Sequence, residues 1–341
     1  MSVTLAPFAA TESATLDSIG SPMLWTAAIV GVLALLALDF VITRRPHDVS
    51  MKEALAWSAF YVALPLAFGG YVWSQHGSER GVEYYTGYLV EKSLSVDNLF
   101  VFMLLLTAFA VPRALQQRVL LYGIIGALVL RGIFIAVGAA ALSAFDFFFL
   151  VFGLILVATA VKILRDALSG KDHAVDIDRL RTVRFLRRFF AVTGEYDGTR
   201  MTARLEGRRA LTPFALVVAA VLATDIVFAV DSVPAVYGIT SDPYLVFVTN
   251  AFALLGLRAL YFVLEGALSS LVYLGHGLAA ILAFIGAKLV LHWAHLRWDS
   301  IPEIPTLMSL GVVVGILAAT VAASLVARRR QRDRELSPSG R

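Results

Sequence analysis

Long apolar runs separated by short polar stretches make up most of this chain. Predominantly apolar windows fall at about 22–42, 53–73, 84–109, 119–141, 146–164, 211–235, 244–264, 268–290 and 306–327. Most approach the length of about 20 residues that an α-helix needs to cross a hydrocarbon layer about 30 Å thick. The pattern predicts an all-α, polytopic membrane helical bundle of about nine transmembrane helices, forming a single transmembrane domain over 1–341.

Composition agrees. Of the 341 residues, 59% are hydrophobic and 16% charged, and the mean hydropathy is +0.77. These values overrule the two water-soluble domains that length alone would suggest. The absence of cysteine excludes disulfides, thiolate metal sites and a cysteine nucleophile. Residues 1–21 contain Glu12 and Asp17 but no Lys or Arg. They lack the basic start of a secretory signal peptide and read as a short extracytoplasmic tail.

Charge sets the expected orientation. With the N-terminus outside, 22 Lys and Arg fall in inner loops and the tail, against only Arg80 and Arg297 outside. That bias predicts N-out, C-in insertion. The 165–210 segment and the 328–341 tail become basic cytoplasmic segments, explained by topology without any nucleic-acid partner. Within the loop, "DIDRLRTVRFLRRFF" has helical spacing with a basic face and is expected to lie on lipid at the inner leaflet. "EYDGTRMTARLEG" carries an Asp197-Gly198 turn between short alternating runs, a hairpin signal inside what otherwise reads as a solvated linker.

Some polar residues stand inside the apolar runs. "SLSVDNLFVF" places Asp97 and Asn98 in the third run, and "FAVDSVPAV" places Asp231 and Ser232 in the sixth. Glu91 precedes Asp97 by six positions, and Asp225 precedes Asp231 by six. Each acidic run is followed by one with a single arginine, Arg131 or Arg258, and then by one with a lysine near its end, Lys162 or Lys288. Three helices per copy force consecutive copies into opposite orientations. Spans 3–5 (84–164) and 6–8 (211–290) therefore read as two inverted three-helix repeats, an arrangement that places a transport site near the bilayer midplane. The first two spans (22–73) and the ninth (306–327) are additions around them.

A buried carboxylate costs about 2.5–3.5 kcal/mol at the centre of a membrane helix. Permanent ion pairs with Lys92, Arg131, Arg258 or the end lysines would offset that cost, and so would a bound cation. Positions six apart lie about 9 Å apart along a helix, too far for one ion to be chelated within one helix. The expectation is therefore that Asp97 and Asp231, one from each repeat, pair as ligands, with Glu91 and Asp225 as a neighbouring site and Asn98, Ser232 and Asn250 as further polar groups. Asp39, Arg131, Arg258, Lys92, Lys162 and Lys288 are candidates for gating or counter-charge. Pro234 would free the carbonyl of Val230 and break the sixth helix. An oxygen-rich set without sulfur favours Mg, Ca or Mn as cargo. His292, His295, Asp299 and Glu303 form a further outer-loop cluster. No prosthetic group is expected, and no nucleophile–base set, phosphate loop or zinc signature points to an enzyme.

"LALDFVITRRPHDVSMKEALAWS", "GYLVEKSLSVDNLFVF", "ATDIVFAVDSVPAV" and "NAFALLGLRALYF" together resemble the TerC family of bacterial integral membrane proteins, over about residues 35–310. The resemblance implies a bacterial cytoplasmic membrane protein, and it implies manganese export as the activity. Roles at Glu91, Asp97, Asn98, Asp225, Asp231, Ser232 and Asp39 carry over by motif. The competing expectation is a scaffold or accessory factor in tellurite or metal-stress resistance or in metallation of exported proteins, with protein partners recruited by the 165–210 loop. Export of a small cationic organic solute is also compatible with buried acids.

Overall fold

The computed structural model describes residues 18–42, 50–168, 183–184, 188, 191–205, 208–264, 273–298 and 300–336. Its elements are α1 (Pro22–Ile42), α2 (Met51–Ala108), α3 (Arg113–Ala144), α4 (Phe147–Leu168), β1 (Thr202–Leu205) and β2 (Arg208–Leu211). They are followed by α5 (Pro213–Tyr237), α6 (Pro243–Leu255), α7 (Leu257–Leu264), α8 (Leu274–His295) and α9 (Thr306–Leu336). Seven spans among the described residues are long and apolar enough to cross a membrane, with α6 and α7 together forming one. The protein is an all-α polytopic membrane protein.

The expected second and third runs are one element here. α2 is 58 residues long and is interrupted at Gly77, whose φ of 88° favours a residue without a Cβ. Its two arms fold back on each other: Tyr84 donates to the Pro65 carbonyl at 2.9 Å and Tyr85 to the Leu66 carbonyl at 2.8 Å. The charged and polar residues around this turn, from Gln75 to Glu83, keep α2 out of a purely apolar pattern.

Helix starts follow local chemistry. Thr212 accepts from the Ala215 N–H ahead of α5, and Asp242 accepts from the Tyr244 N–H ahead of α6; each is followed by proline at the first helical position. The break expected at Pro234 is absent. α5 continues through Pro234 to Tyr237, because so near the helix end the missing N–H costs one bond of the final turns. The discontinuity falls in the next span, at Gly256 between α6 and α7. A Cβ there would lie 3.0 Å from Lys92 Nζ and 3.1 Å from Tyr61 Cβ.

α3 packs on α5, α2 on α6 and α7, and α4 on α8. The last pair crosses backbone to backbone: a Cβ on Gly153 would lie 2.8 Å from the Gly286 carbonyl oxygen, and a Cβ on Gly286 2.8 Å from that of Gly153. Small residues at such a crossing give close packing where lipid offers no hydrophobic drive. Gly286→Leu is expected to lower stability by about 1–3 kcal/mol through overpacking. Thermal unfolding of the detergent-solubilised variant reads this, and an unchanged midpoint would mean that the helices separate without cost.

At the end of the bundle carrying the basic insert, β1 and β2 form an antiparallel hairpin with Thr202 opposite Leu211. The expected hairpin turn at Asp197-Gly198 is instead a separate turn before β1, with Gly198 at φ 56°, because the pairing register closes at Leu205–Arg208. The insert is tied down. Tyr196 donates to the Phe109 carbonyl at 2.8 Å, and burial pushes its phenol up to about 12, so it stays a donor through neutral pH. Val183 and Arg184 are helical; the rest of the expected amphipathic helix, apart from Arg188, lies outside the described residues.

Candidate ion site in the bundle centre

Four elements converge on one guanidinium. Arg131, from α3, is 1% exposed and forms an ion pair with Glu91 of α2. It also contacts Asp225 of α5 at 3.4 Å and donates to Asn250 Oδ1 of α6 at 2.9 Å. With its amide turned to satisfy both ends, Asn98 accepts from Arg131 at 3.0 Å and donates to the Leu94 carbonyl at 3.1 Å. Asn250 is itself oriented by a 3.0 Å bond to the Val246 carbonyl. Glu91 and Asp225 are fully buried. At 1.5 Å per residue, Glu91 lies about 21 Å along its arm from Gly77, and Asp225 about 18 Å from Tyr237, which is near mid-depth of the bundle.

One cation thus faces two carboxylates. Among the described residues, the buried atoms Asp225 Oδ2, Glu91 Oε2, Ser95 Oγ and Ser232 Oγ have no hydrogen-bond partner. Such groups are costly in a low-dielectric interior unless they meet a ligand. The centre therefore has spare oxygen valence and a formal excess of one negative charge.

The expected pairing of Asp97 with Asp231 falls partly outside the described residues. Glu91 and Asp225 share Arg131, and the second arm of α2 runs antiparallel to α5. Asp97 therefore lies about 9 Å from Glu91 toward the basic end, and Asp231 about 9 Å from Asp225 toward the opposite end. The Asp97 side chain lies outside the described residues. Asp231 is partly buried and within electrostatic reach of Arg131. Among the described residues, no three His, Asp or Glu side chains form a ready metal cage.

Arg131 and Arg258, expected as equivalents, have different partners. Arg258 of α7 pairs with Asp39 of α1 at 2.8 Å, and Tyr61 donates to the same carboxylate oxygen at 2.9 Å. Lys92 donates to the Ala253 carbonyl at the end of α6, at 3.3 Å. Lys162 is exposed on α4, whereas Lys288 is buried on α8.

Lys288 lines a cavity of about 650 Å³ at the end opposite the basic insert, with Glu79, Glu83, Thr240, His292 and Glu303. Its walls are cross-linked: Arg80 pairs with Glu83 at 2.9 Å, Thr240 donates to Glu83 at 2.8 Å, and His292 meets Glu303 at 2.7 Å. His295 bonds the Ile301 carbonyl instead; among the described members of the expected four-residue cluster, His292 and Glu303 meet, and Asp299 lies outside the described residues. Sequence reasoning missed Glu83. Its i+3 neighbour Arg80 was visible, but its link to Thr240 spans 157 positions.

The model of the integral membrane protein TerC family matches residues 76–332. The chain belongs to the TerC family. It is 42% identical over 316 residues to the uncharacterized membrane protein STKORF319 of Myxococcus xanthus, covering 92% of this chain and 96% of the relative. An uncharacterized membrane protein of Mycobacterium tuberculosis is 41% identical over 321 residues, covering 91% and 80%. Alx of Escherichia coli K12, whose name describes it as a candidate membrane-bound redox modulator, is 41% identical over 316 residues, covering 89% and 95%. No solved structure matches the chain. The family match contains Glu91, Arg131, Asp225 and Asn250 but begins after α1 and the first arm of α2, which leaves Asp39 and Tyr61 outside it.

Proposed function

We propose that this TerC-family protein is a membrane transporter that exports a hard divalent cation, Mn²⁺ being the ion its family resemblance implies, through the Glu91–Arg131–Asp225 centre. The observation that carries the reading is a buried pair of carboxylates at mid-depth, held by one arginine and leaving oxygens unsatisfied. Intramembrane ionisable groups are functional by default. The guanidinium takes the place of a cation between the two acids. An arriving ion displaces it toward the Asn98 and Asn250 amides that already accept from it, so the carboxylates are never left uncompensated.

The inverted repeats then order the remaining acids. Asp97 stands beside Asn98 on the second arm of α2 and Asp231 beside Ser232 on α5, each six positions along its helix from Glu91 or Asp225. They serve as approach and release positions, and the cavity at Glu83, Lys288 and Glu303 becomes the outer vestibule. Crossing of both α2 arms brings the span count to nine, with 84–164 and 211–290 as the repeats. The reciprocal packing of α3 on α5 and α2 on α6, with α4 on α8, supports a pseudo-two-fold relation. The excess of basic residues puts the insert and tail in the cytoplasm of the bacterial cell.

Manganese uptake into proteoliposomes, with calcium and magnesium as competitors, tests the reading. Saturable manganese flux that is abolished in Asp231→Asn is the expected result. Folded wild type that moves no ion would overturn transport in favour of an accessory role. That second reading draws on the name of Alx and on the insert docked by Tyr196. Without cysteine, no thiol of this chain would perform redox chemistry.

A further inference from the structure

α1 makes its polar attachments near its two ends, while Ala28, Val32, Leu35 and Leu36 pack on the core between them. At one end Ser18 and the Ile19 N–H donate to Asp242 at 2.6 and 2.9 Å, and Trp25 packs edge-on against Tyr244 at 5.3 Å. At the other end Asp39, the one buried residue of α1, receives Arg258 and Tyr61. Between these polar attachments a gap opens beside Gly31. A Cβ on Gly31 would meet nothing within 4 Å.

The space beneath is a groove of about 860 Å³, walled by α1 and the first arm of α2, with α6 as its floor. It reaches from Leu35 and Phe60 to Ser21 and His76, about 21–24 Å along the helices, which exceeds the roughly 15 Å depth of one leaflet's hydrocarbon. Its deep part is apolar, including Phe60, Leu64, Phe68 and Phe252. Polar groups (Ser21, Gln75 and His76, with the Tyr71 hydroxyl) gather only at the end near Gly77. Among the described lining residues none is Lys, Arg, Asp or Glu.

We infer that this groove is a phospholipid site, taking one acyl chain from the leaflet at the Gly77 end. A water-filled apolar slot at hydrocarbon depth is unfavourable, and the chain's own helices leave the slot open. The polar rim meets the head group. Because no basic residue is among its described lining residues, nothing there compensates the net charge of an anionic head, and the site fits a zwitterionic lipid such as phosphatidylethanolamine. The lipid joins α1 and the first α2 arm, which precede the family match, to the core formed by α6.

A phosphatidylethanolamine carrying a photoreactive acyl chain tests this in vesicles containing the full protein, with labelled residues located by mass spectrometry. Labelling of Phe60, Leu64 or Phe252, suppressed by unlabelled phosphatidylethanolamine, is expected in wild type. Gly31→Phe, which fills the open space, is expected to reduce it to background while elution and helix content stay unchanged. Wild-type labelling confined to the outward positions Ile29 and Leu33 would overturn the site, and that measurement stands even if the variant fails to fold. Equal floor labelling in a folded Gly31→Phe would overturn it too, and stronger capture of phosphatidylglycerol would overturn the head-group assignment.

Discussion

Arg131→Met is expected to destabilise the folded protein by about 3–5 kcal/mol, the loss typical of a buried ion pair stripped of one partner. Two buried carboxylates would face each other with their shared cation gone, and Asn250 and Asn98 would lose the donor they accept from. Unfolding of purified protein in a mixed-micelle denaturant titration measures the loss. The compensated variant Arg131→Met with Glu91→Gln and Asp225→Asn is expected to recover most of it, because neutral amides of similar shape carry no uncompensated charge. Equal stability of wild type and Arg131→Met would mean that the arginine does not hold the acids together, and the central site would lose its main support.

Asp225→Asn is expected to separate stability from transport. The substitution keeps size and hydrogen-bonding capacity and leaves Arg131 paired with Glu91, so protein accumulation should change little. Manganese flux in proteoliposomes should fall by at least tenfold to a hundredfold, the cost seen when groups merely supporting a metal site are lost. Asp39→Asn serves as the contrast. Its partners are Arg258 and Tyr61 rather than the central acids, so its main effect should be on attachment of α1, read as lowered stability. Full flux in Asp225→Asn would remove the carboxylate from the transport path.

The acids themselves were legible because an ionisable residue within an apolar run stands out against its neighbours and its cost demands an explanation. Which acids share a site was not legible. The six-residue spacing suggested that corresponding residues, Asp97 and Asp231, would meet. The structure instead joins the two first acids through Arg131, and the Asp97 side chain lies outside the described residues. The arginines of the two acidic–arginine–lysine runs both meet acids, but different ones: Arg131 joins Glu91 and Asp225, while Arg258 is drawn to Asp39 on a helix outside the family match.

By itself the sequence determined the solvent, the helical class and seven of the nine expected spans, since hydropathy and helix length are local and a membrane permits few backbone arrangements. It also determined that buried charge must be compensated. Only the tertiary structure decided which cation does so, that α2 folds back at Gly77, that the break falls at Gly256 and not Pro234, and that α1 leaves a groove beneath it. Each of these depends on contacts between residues far apart in the chain, such as Arg131 with Asn250 or Ser18 with Asp242, and no local pattern encodes which distant helix a side chain will meet.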